Sequence, residues 1–469
     1  MQRAPLIVLY CIALVSLGCE NEPIQPEVRT DVSPQPRPVV KLTVLVVDAP
    51  NMAAGIQLLR GEWAERSGGQ LVVEQRPAGE VLAAAAVSAD VVVFPSRYLG
   101  TFVARNALRP VRSSILQSEV FRQNDLLPLV RNRVLPYGGK VYALSLGESP
   151  LMLAWQTVEA SDGETAFAAG ATAQSRAAGF PATGHPDAGP PLNWQQFDLL
   201  QPKVSVSDRI QHGAAVEFLV RALGYASQRN RSSILFDPDT MQPRITSPPF
   251  LRALQEIVAV SQRPASGKRG VAVTIGWPQA LPLAAASAQR VELTPVPAAT
   301  AVYNHSLEIW EEPDPPAPVV ILGFAGRLVS VTRSSRNAAS AFELLQWLAS
   351  GEIASNLSQR SESTAWWRAS QVSQASLWLR GSELGEWAAR AITRQLSGEH
   401  CFLLPRIPAI DDYLAHLSKA VANAKLGNLS ADAALQLAAD AWEATTTEQG
   451  RDSQRAAYRK HLGYDDYAD

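Results

Sequence analysis

Cysteine is nearly absent from this chain of 469 residues, which has three: Cys11, Cys19 and Cys401. Cys11 lies inside an N-terminal apolar run and Cys19 ends it, so Cys401 stands alone in the remainder. A lone thiol excludes an internal disulfide there, and the body must be stabilised by its core. Cys401 reads as a buried small residue rather than a reactive thiol. Histidine is also scarce, at six residues. They are scattered, with no H-E-x-x-H and no Cys/His spacing, so no metal is expected. Excess charge is missing too. The 42 basic and 44 acidic residues are dispersed and give a net charge of -2, which leaves no electrostatic footprint for nucleic acid and no basic membrane-surface helix. No internal repeat or heptad run is present. Ala143-Leu144-Ser145-Leu146-Gly147 lacks the first glycine of a hydrolase elbow and runs into Glu148-Ser149-Pro150 instead of a helix. Gly267-Lys268 lacks the upstream glycine and the following Ser or Thr of a phosphate loop. The chain therefore shows no catalytic signature and implies no cofactor.

What it does have begins at the N-terminus, where an apolar run from Leu6 to Leu17 follows Arg3 and stops at Gly18-Cys19. A core of about a dozen apolar residues falls short of the ~20 that span a bilayer and fits a removable export signal, residues 1–19. Val15-Ser16-Leu17-Gly18-Cys19 resembles a bacterial lipobox, with Ser16 where Leu, Val or Ile is preferred. The resemblance implies that Cys19 is acylated and becomes the new N-terminus; simple secretion is the alternative. Residues 20–40 carry Pro23, Pro26, Pro34, Pro36 and Pro38 without apolar periodicity. They read as an extended tether, at about 3 Å per residue if fully polyproline-like, or as an ordinary disordered terminus. The expected location is membrane-anchored, periplasmic or at the cell surface.

Roughly 450 residues are too many for one hydrophobic core and imply two or three lobes. Residues 42–47 are a β-branched and aliphatic run suited to a strand buried on both faces. Residues 52–66 follow with helical spacing at Ile56, Leu59 and Trp63, closed by Gly68-Gly69. Residues 71–73 and 89–94 are further short apolar runs around a helix-like stretch at 79–88. This βαβα pattern predicts a parallel, helix-covered sheet with ligand sites at the carboxyl ends of its strands. Residues 159–191, rich in Ala, Gly, Ser and Pro, read as a surface insertion. Helices are predicted at 194–200, 207–229 and 248–262, the last behind a Ser247 cap. Strands are predicted at 318–322 and 327–332, and helices at 338–350, 383–396, 409–424 and 431–445.

A series of short motifs carries a resemblance. It runs from the strand and helix of 42–63 through Ala89-Asp90-Val91-Val92 and Tyr98-Leu99 to Ala107-Leu108-Arg109-Pro110-Val111. Next come Tyr137-Gly138-Gly139-Lys140-Val141-Tyr142-Ala143-Leu144 with 151–155, Asn193-Trp194-Gln195-Gln196-Phe197, Gly276-Trp277-Pro278, and Phe324-Ala325-Gly326 before 328–331. Residues 337–350 and 352–357, Trp366-Trp367-Arg368, and Ala433-Ala434-Leu435 through Ala438-Ala439 and Trp442 complete it. In this order and spacing the chain resembles the extracellular solute-binding proteins of bacterial ABC importers, the family whose members bind maltose and other sugars. Ala143 and Ser145 replace the usual Gly and Pro of its hairpin segment, and Phe324 and Ala325 stand where it often has glycines.

The resemblance implies an α/β, two-lobed periplasmic-binding-protein fold of type II with a helical C-terminal portion. Lobe 1 would comprise 41–146 and 297–350, and lobe 2 147–296 and 351–469, with crossings near 145–155 and 284–297. The implied partners are a small-molecule ligand, expected to be a sugar, and an ABC permease, with the protein acting as a monomeric receptor rather than an enzyme. A ligand-sensing partner of a membrane receptor and a periplasmic enzyme on this scaffold are the alternatives. Sugar sites need flat aromatic faces and a few fixed polar groups. Trp63, Trp347, Trp387 and Trp442 lie on helical stripes and read as core, and Trp194 packs at a helix start. Trp277, Trp366 and Trp367 lie in loop-like contexts as ligand contacts or core, and Phe324 joins them through its place in the family pattern. Tyr98, Glu148 and Arg368 are polar candidates for the ligand or for a surface or interlobe pair. Asp48 and Asn51, just past the first strand, serve either the ligand or a helix cap.

Overall fold

The run predicted at 42–47 forms strand β1, Lys41–Val47, whose last four residues are buried. It pairs in parallel with β2, Gln70–Arg76, and with β3, Val91–Pro95, so the βαβα expectation holds. The computed structural model describes residues 39–157, 193–199, 203–226, 233–262, 271–280, 291–313, 318–379 and 382–464. The signal with Cys19, the tether to residue 38, the insertion at 159–191, the side chain of Trp387 and the part of the second crossing before 291 lie outside the described residues.

The helix expected over 52–66 is two helices, α1 (Pro50–Leu58) and α2 (Arg60–Ser67), because Leu59 turns tightly and its N–H bonds Ile56 at i-3. Gly68 ends α2 in the left-handed conformation, φ 69°. Trp63 is buried 5.4 Å from Trp347, as a core residue should be. The first sheet is completed by β4 (Leu144–Ser145) and β9 (Arg327–Val331), in the order β2-β1-β3-β9-β4. Strand β9 runs antiparallel to both neighbours and every one of its residues is buried. Just upstream, Pro136–Tyr137 and Lys140–Val141 form the predicted hairpin around Gly138-Gly139, both at positive φ.

After β4 the chain crosses to a second sheet of β5 (Met152–Thr157), β6 (Lys203–Val206), β7 (Val271–Gly276) and β8 (Val291–Thr294), ordered β8-β5-β7-β6. Strands β6 and β7 are parallel, so their carboxyl ends lie on the same side. Helices α3 (Gly213–Ala226) and α4 (Pro248–Ser261) pack together beside it. Ser247 stands at the N-cap of α4, yet its hydroxyl donates to the Arg244 carbonyl instead of capping. Arg221 of α3 is buried, paired with Asp198 and Glu256, and lies 4.5 Å from the centre of the Trp194 ring.

The C-terminal helices serve both sheets. Helix α5 (Ala338–Leu348) packs on β9, and α6 (Gly351–Gln359) packs on α1. Residues 351–359, expected in lobe 2, thus pack beside the first sheet's helices. Helix α7 is Ser382–Leu396, while α8 (Ile410–Lys425) and α9 (Ala431–Glu448) pack against each other and α4. Helix α10 (Arg451–Leu462), which the sequence reading missed, lies against the helix Leu99–Ala104. Its anchor is Arg406, buried with Nη1 on the Val134 carbonyl at 2.6 Å, Nη2 on that of Pro136 at 2.8 Å and Nε 3.3 Å from Nδ1 of His461.

Two outcomes follow from this packing. A Cβ at Gly100 would overlap the Arg406 carbonyl, whereas one at Gly79 meets nothing within 4 Å. Gly100→Ala is expected to lower stability by about 3 kcal/mol, at the top of the overpacking range, and Gly79→Ala to leave it unchanged or slightly raised. Denaturant melts separate the two. The second outcome concerns Glu148, fully buried in the 146–151 crossing, where its carboxylate accepts the Ser149 N–H at 3.2 Å. Burial raises its pKa from 4.5 to about 8, against the opposing pull of the Ser149 and Gly323 N–H groups, Arg406 and Ser96. Between those pH values the folded state holds a proton that the unfolded state has released, so stability falls as pH rises. The slope approaches about 1.4 kcal/mol per pH unit. Melts from pH 4.5 to 8.5 should show this fall in the parent minus Glu148→Gln difference, and a flat difference would contradict it.

Candidate functional site

The carboxyl ends of β1 and β3 in the first sheet, and of β6 and β7 in the second, border one cavity of about 170 Å3. From the first sheet come Asp48 beyond β1, Pro95 and Arg97 at the end of β3, and Phe324, Gly326 and Arg327 leading into β9. The opposing side is the turn Arg209 to His212 ahead of α3, Trp277 beyond β7, and Asp411 and Leu414 in the first turns of α8. Ser363, beyond α6, completes the lining. Such placement at strand carboxyl ends is where open α/β sheets bind ligands. Asp48 and His212 both take positive φ, 50° and 60°, in the turns that bring them there.

Arg327 forms the floor. It is buried, with Nη1 donating to the Val47 carbonyl at 2.7 Å, Nη2 to that of Asp48 at 2.8 Å and Nε to Ser363 Oγ at 3.2 Å. Burial lowers its pKa to about 10, which still leaves it cationic at neutral pH. Directly behind the floor, Gly326 (φ 95°) abuts the Glu148 carboxyl so closely that a Cβ there would overlap it.

Contacts also span the cavity. Arg97 Nε lies 3.1 Å from Asp411 Oδ1, and its Nη2 donates to the Tyr98 hydroxyl at 3.0 Å and to Gln211 Oε1 at 3.5 Å. The Tyr98 hydroxyl in turn donates to Asp411 Oδ2. At the mouth, Arg209 Nη1 pairs with Glu362 Oε2 at 3.2 Å, an exposed pair worth at most about 1 kcal/mol. His212 has its pKa lowered by burial, so its imidazole is neutral at pH 7. Trp277 is 4% exposed, and its indole N–H has no hydrogen-bond partner among the described residues.

Of the residues singled out from sequence, Asp48, Trp277 and Phe324 line the cavity together. Tyr98 stands one shell behind it through Asp411, and Glu148 stands behind Gly326. The others do not reach it. Asn51 is exposed in the first turn of α1. Trp366 and Trp367 are fully buried, with the Trp366 indole donating to Thr393 Oγ1 at 3.0 Å and the Trp367 carbonyl receiving the Leu127 N–H at 2.9 Å. Arg368 is consumed by the carbonyls of Phe121, Arg122 and Ala349 and by Asp125. These four belong to surface or packing, not to the cavity. Sequence reading missed Arg97, Arg209, His212, Arg327 and Asp411. The usable signal was position: Arg97 adjoins Tyr98, and Arg327 opens a predicted strand.

Cys401 is half-buried, and burial pushes its thiol up to about 11, which leaves little reactive thiolate. Among the described residues no group of three or more His, Cys, Asp or Glu is placed to hold a metal, and no helix is long and apolar enough to cross a membrane.

No family model and no curated protein sequence matches the chain. Its architecture does match solved structures. An ABC transporter solute-binding protein from Agrobacterium radiobacter K84 in complex with ribitol aligns with a TM-score of 0.59 at 16% identity, over 86% of this chain and 98% of that one. Maltose-bound MalE3 of T. maritima gives 0.58 at 13% identity, over 87% and 100%. A cyclo/maltodextrin-binding protein complexed with maltotetraose gives 0.57 at 17% identity, over 87% and 97%. The chain thus has the α/β fold of the ABC transporter solute-binding proteins.

Proposed function

We propose that this protein captures a small sugar or polyol between two lobes, one built on each sheet, and presents it to an ABC permease. The carrying observation is the cavity itself: strand ends from two sheets converge on it, and the aromatic residues Trp277 and Phe324 are part of its lining. The proteins of the same fold, bound to ribitol, maltose and maltotetraose, support the ligand class. At about 170 Å3 the space lies below the ~300–1,000 Å3 of drug-sized sites, which favours a monosaccharide or polyol over an oligosaccharide. Contacts from both sides favour closure by their differential affinity for the closed state, and no bond chemistry is required. Lipidation at Cys19 would hold the receptor at the membrane near its permease.

Calorimetry on a panel of monosaccharides and polyols tests this reading. A ligand at ~100 times its Kd should add about 2.7 kcal/mol of stability. Trp277→Ala is expected to weaken its binding by about 1 to 3 kcal/mol while the free protein keeps most of its melting temperature. Unchanged affinity with a large drop in melting temperature would make Trp277 core and remove the cavity from the site.

A further inference from the structure

Resting on that reading, we infer that the captured ligand carries a carboxylate, as a hexuronic acid does. Three guanidinium groups line the cavity against two carboxylates, each of which already accepts hydrogen bonds from the protein.

Three guanidinium groups line the space, those of Arg97, Arg209 and Arg327, against two carboxylates, Asp48 and Asp411. Asp411 is engaged through both oxygens, Oδ1 with Arg97 Nε and Oδ2 with the Tyr98 hydroxyl. Asp48 Oδ1 receives the Ala78 N–H at 2.9 Å. A neutral sugar hydroxyl has one proton to give and needs an acceptor for it, whereas a carboxylate only accepts. Trp277, a lining residue 4% exposed, has a buried indole N–H without a hydrogen-bond partner among the described residues. Leaving such a donor unpaired costs about 1 to 3 kcal/mol, which an acceptor would recover if closure brought it within reach.

Beyond the lining, Arg209 also pairs with Glu362 at 3.2 Å, an exposed contact with which a ligand carboxylate would compete. Glu148, behind Gly326, has its pKa raised by burial to about 8 and is mostly protonated at neutral pH, and His212 is neutral there. Arg97 also disfavours the charge on Arg327, so an anion between them relieves repulsion. Guanidinium groups are well matched to carboxylates, since their planar forks donate in pairs.

Isothermal titration of the purified protein with D-galacturonate and D-glucuronate, beside D-galactose, D-glucose and ribitol, decides the matter. At least one hexuronate is expected to bind ten times or more tighter than its neutral parent, about 1.4 kcal/mol. Its affinity should fall several-fold between 50 and 500 mM NaCl while a neutral sugar's stays constant. This salt response is read on the native protein and does not depend on a variant's folding. Trp277→Phe, which keeps the ring and deletes the N–H, should reduce hexuronate affinity. Neutral sugars binding as tightly as the hexuronates, or a hexuronate affinity indifferent to salt, would overturn the inference and leave the sugar reading standing. Binding of none of the five would overturn both.

Discussion

The guanidinium of Arg327 is the joint on which the cavity depends. It bonds the carbonyls of Val47 and Asp48 at the end of β1 and the hydroxyl of Ser363 beyond α6, while its own backbone begins β9. Three segments far apart in sequence are thus tied to one side chain. A cation this deeply buried is tolerated only when its N–H groups are filled, and deleting it would strand two carbonyls at about 1 to 3 kcal/mol each. The floor is therefore rigid before any ligand arrives. Gly326 contributes the other half of that rigidity, since only a residue without Cβ at φ 95° lets the Glu148 crossing lie directly beneath.

The opposing side is held more weakly. Arg209 and Glu362 are both about half exposed, so their pair adds little. Arg97 and Asp411 are better shielded, and the Tyr98 hydroxyl reinforces them, yet Arg97 must also serve Gln211. A rigid floor facing a side held by a few polar contacts suits a receptor in which the ligand supplies much of the closing free energy.

Much of this fold was legible in the sequence. The β-branched and aliphatic run of β1 and the all-apolar β3 admit little but buried strands, and Gly138-Gly139 marks a hairpin because both take positive φ. The single helix expected at 52–66 failed because its periodicity runs through Leu59, where the backbone turns. The site was legible only in part. Asp48, Trp277 and Phe324 sit at strand termini, where topology alone predicts a ligand. Trp366, Trp367 and Arg368 look like loop contacts in one dimension, and only tertiary packing shows that backbone carbonyls and Gln371 occupy that loop. Arg97, Arg209, Arg327 and Asp411 come from four segments with no common spacing, so their convergence is a property of the folded chain.

The most direct check of the account is a crystal structure of the protein with whichever sugar, polyol or hexuronate raises its melting temperature most. The account places the ligand between Arg327 and Trp277, with the ring of Trp277 against it and Arg97 within hydrogen-bonding reach. A ligand bound elsewhere, with this cavity filled by protein side chains, would contradict it.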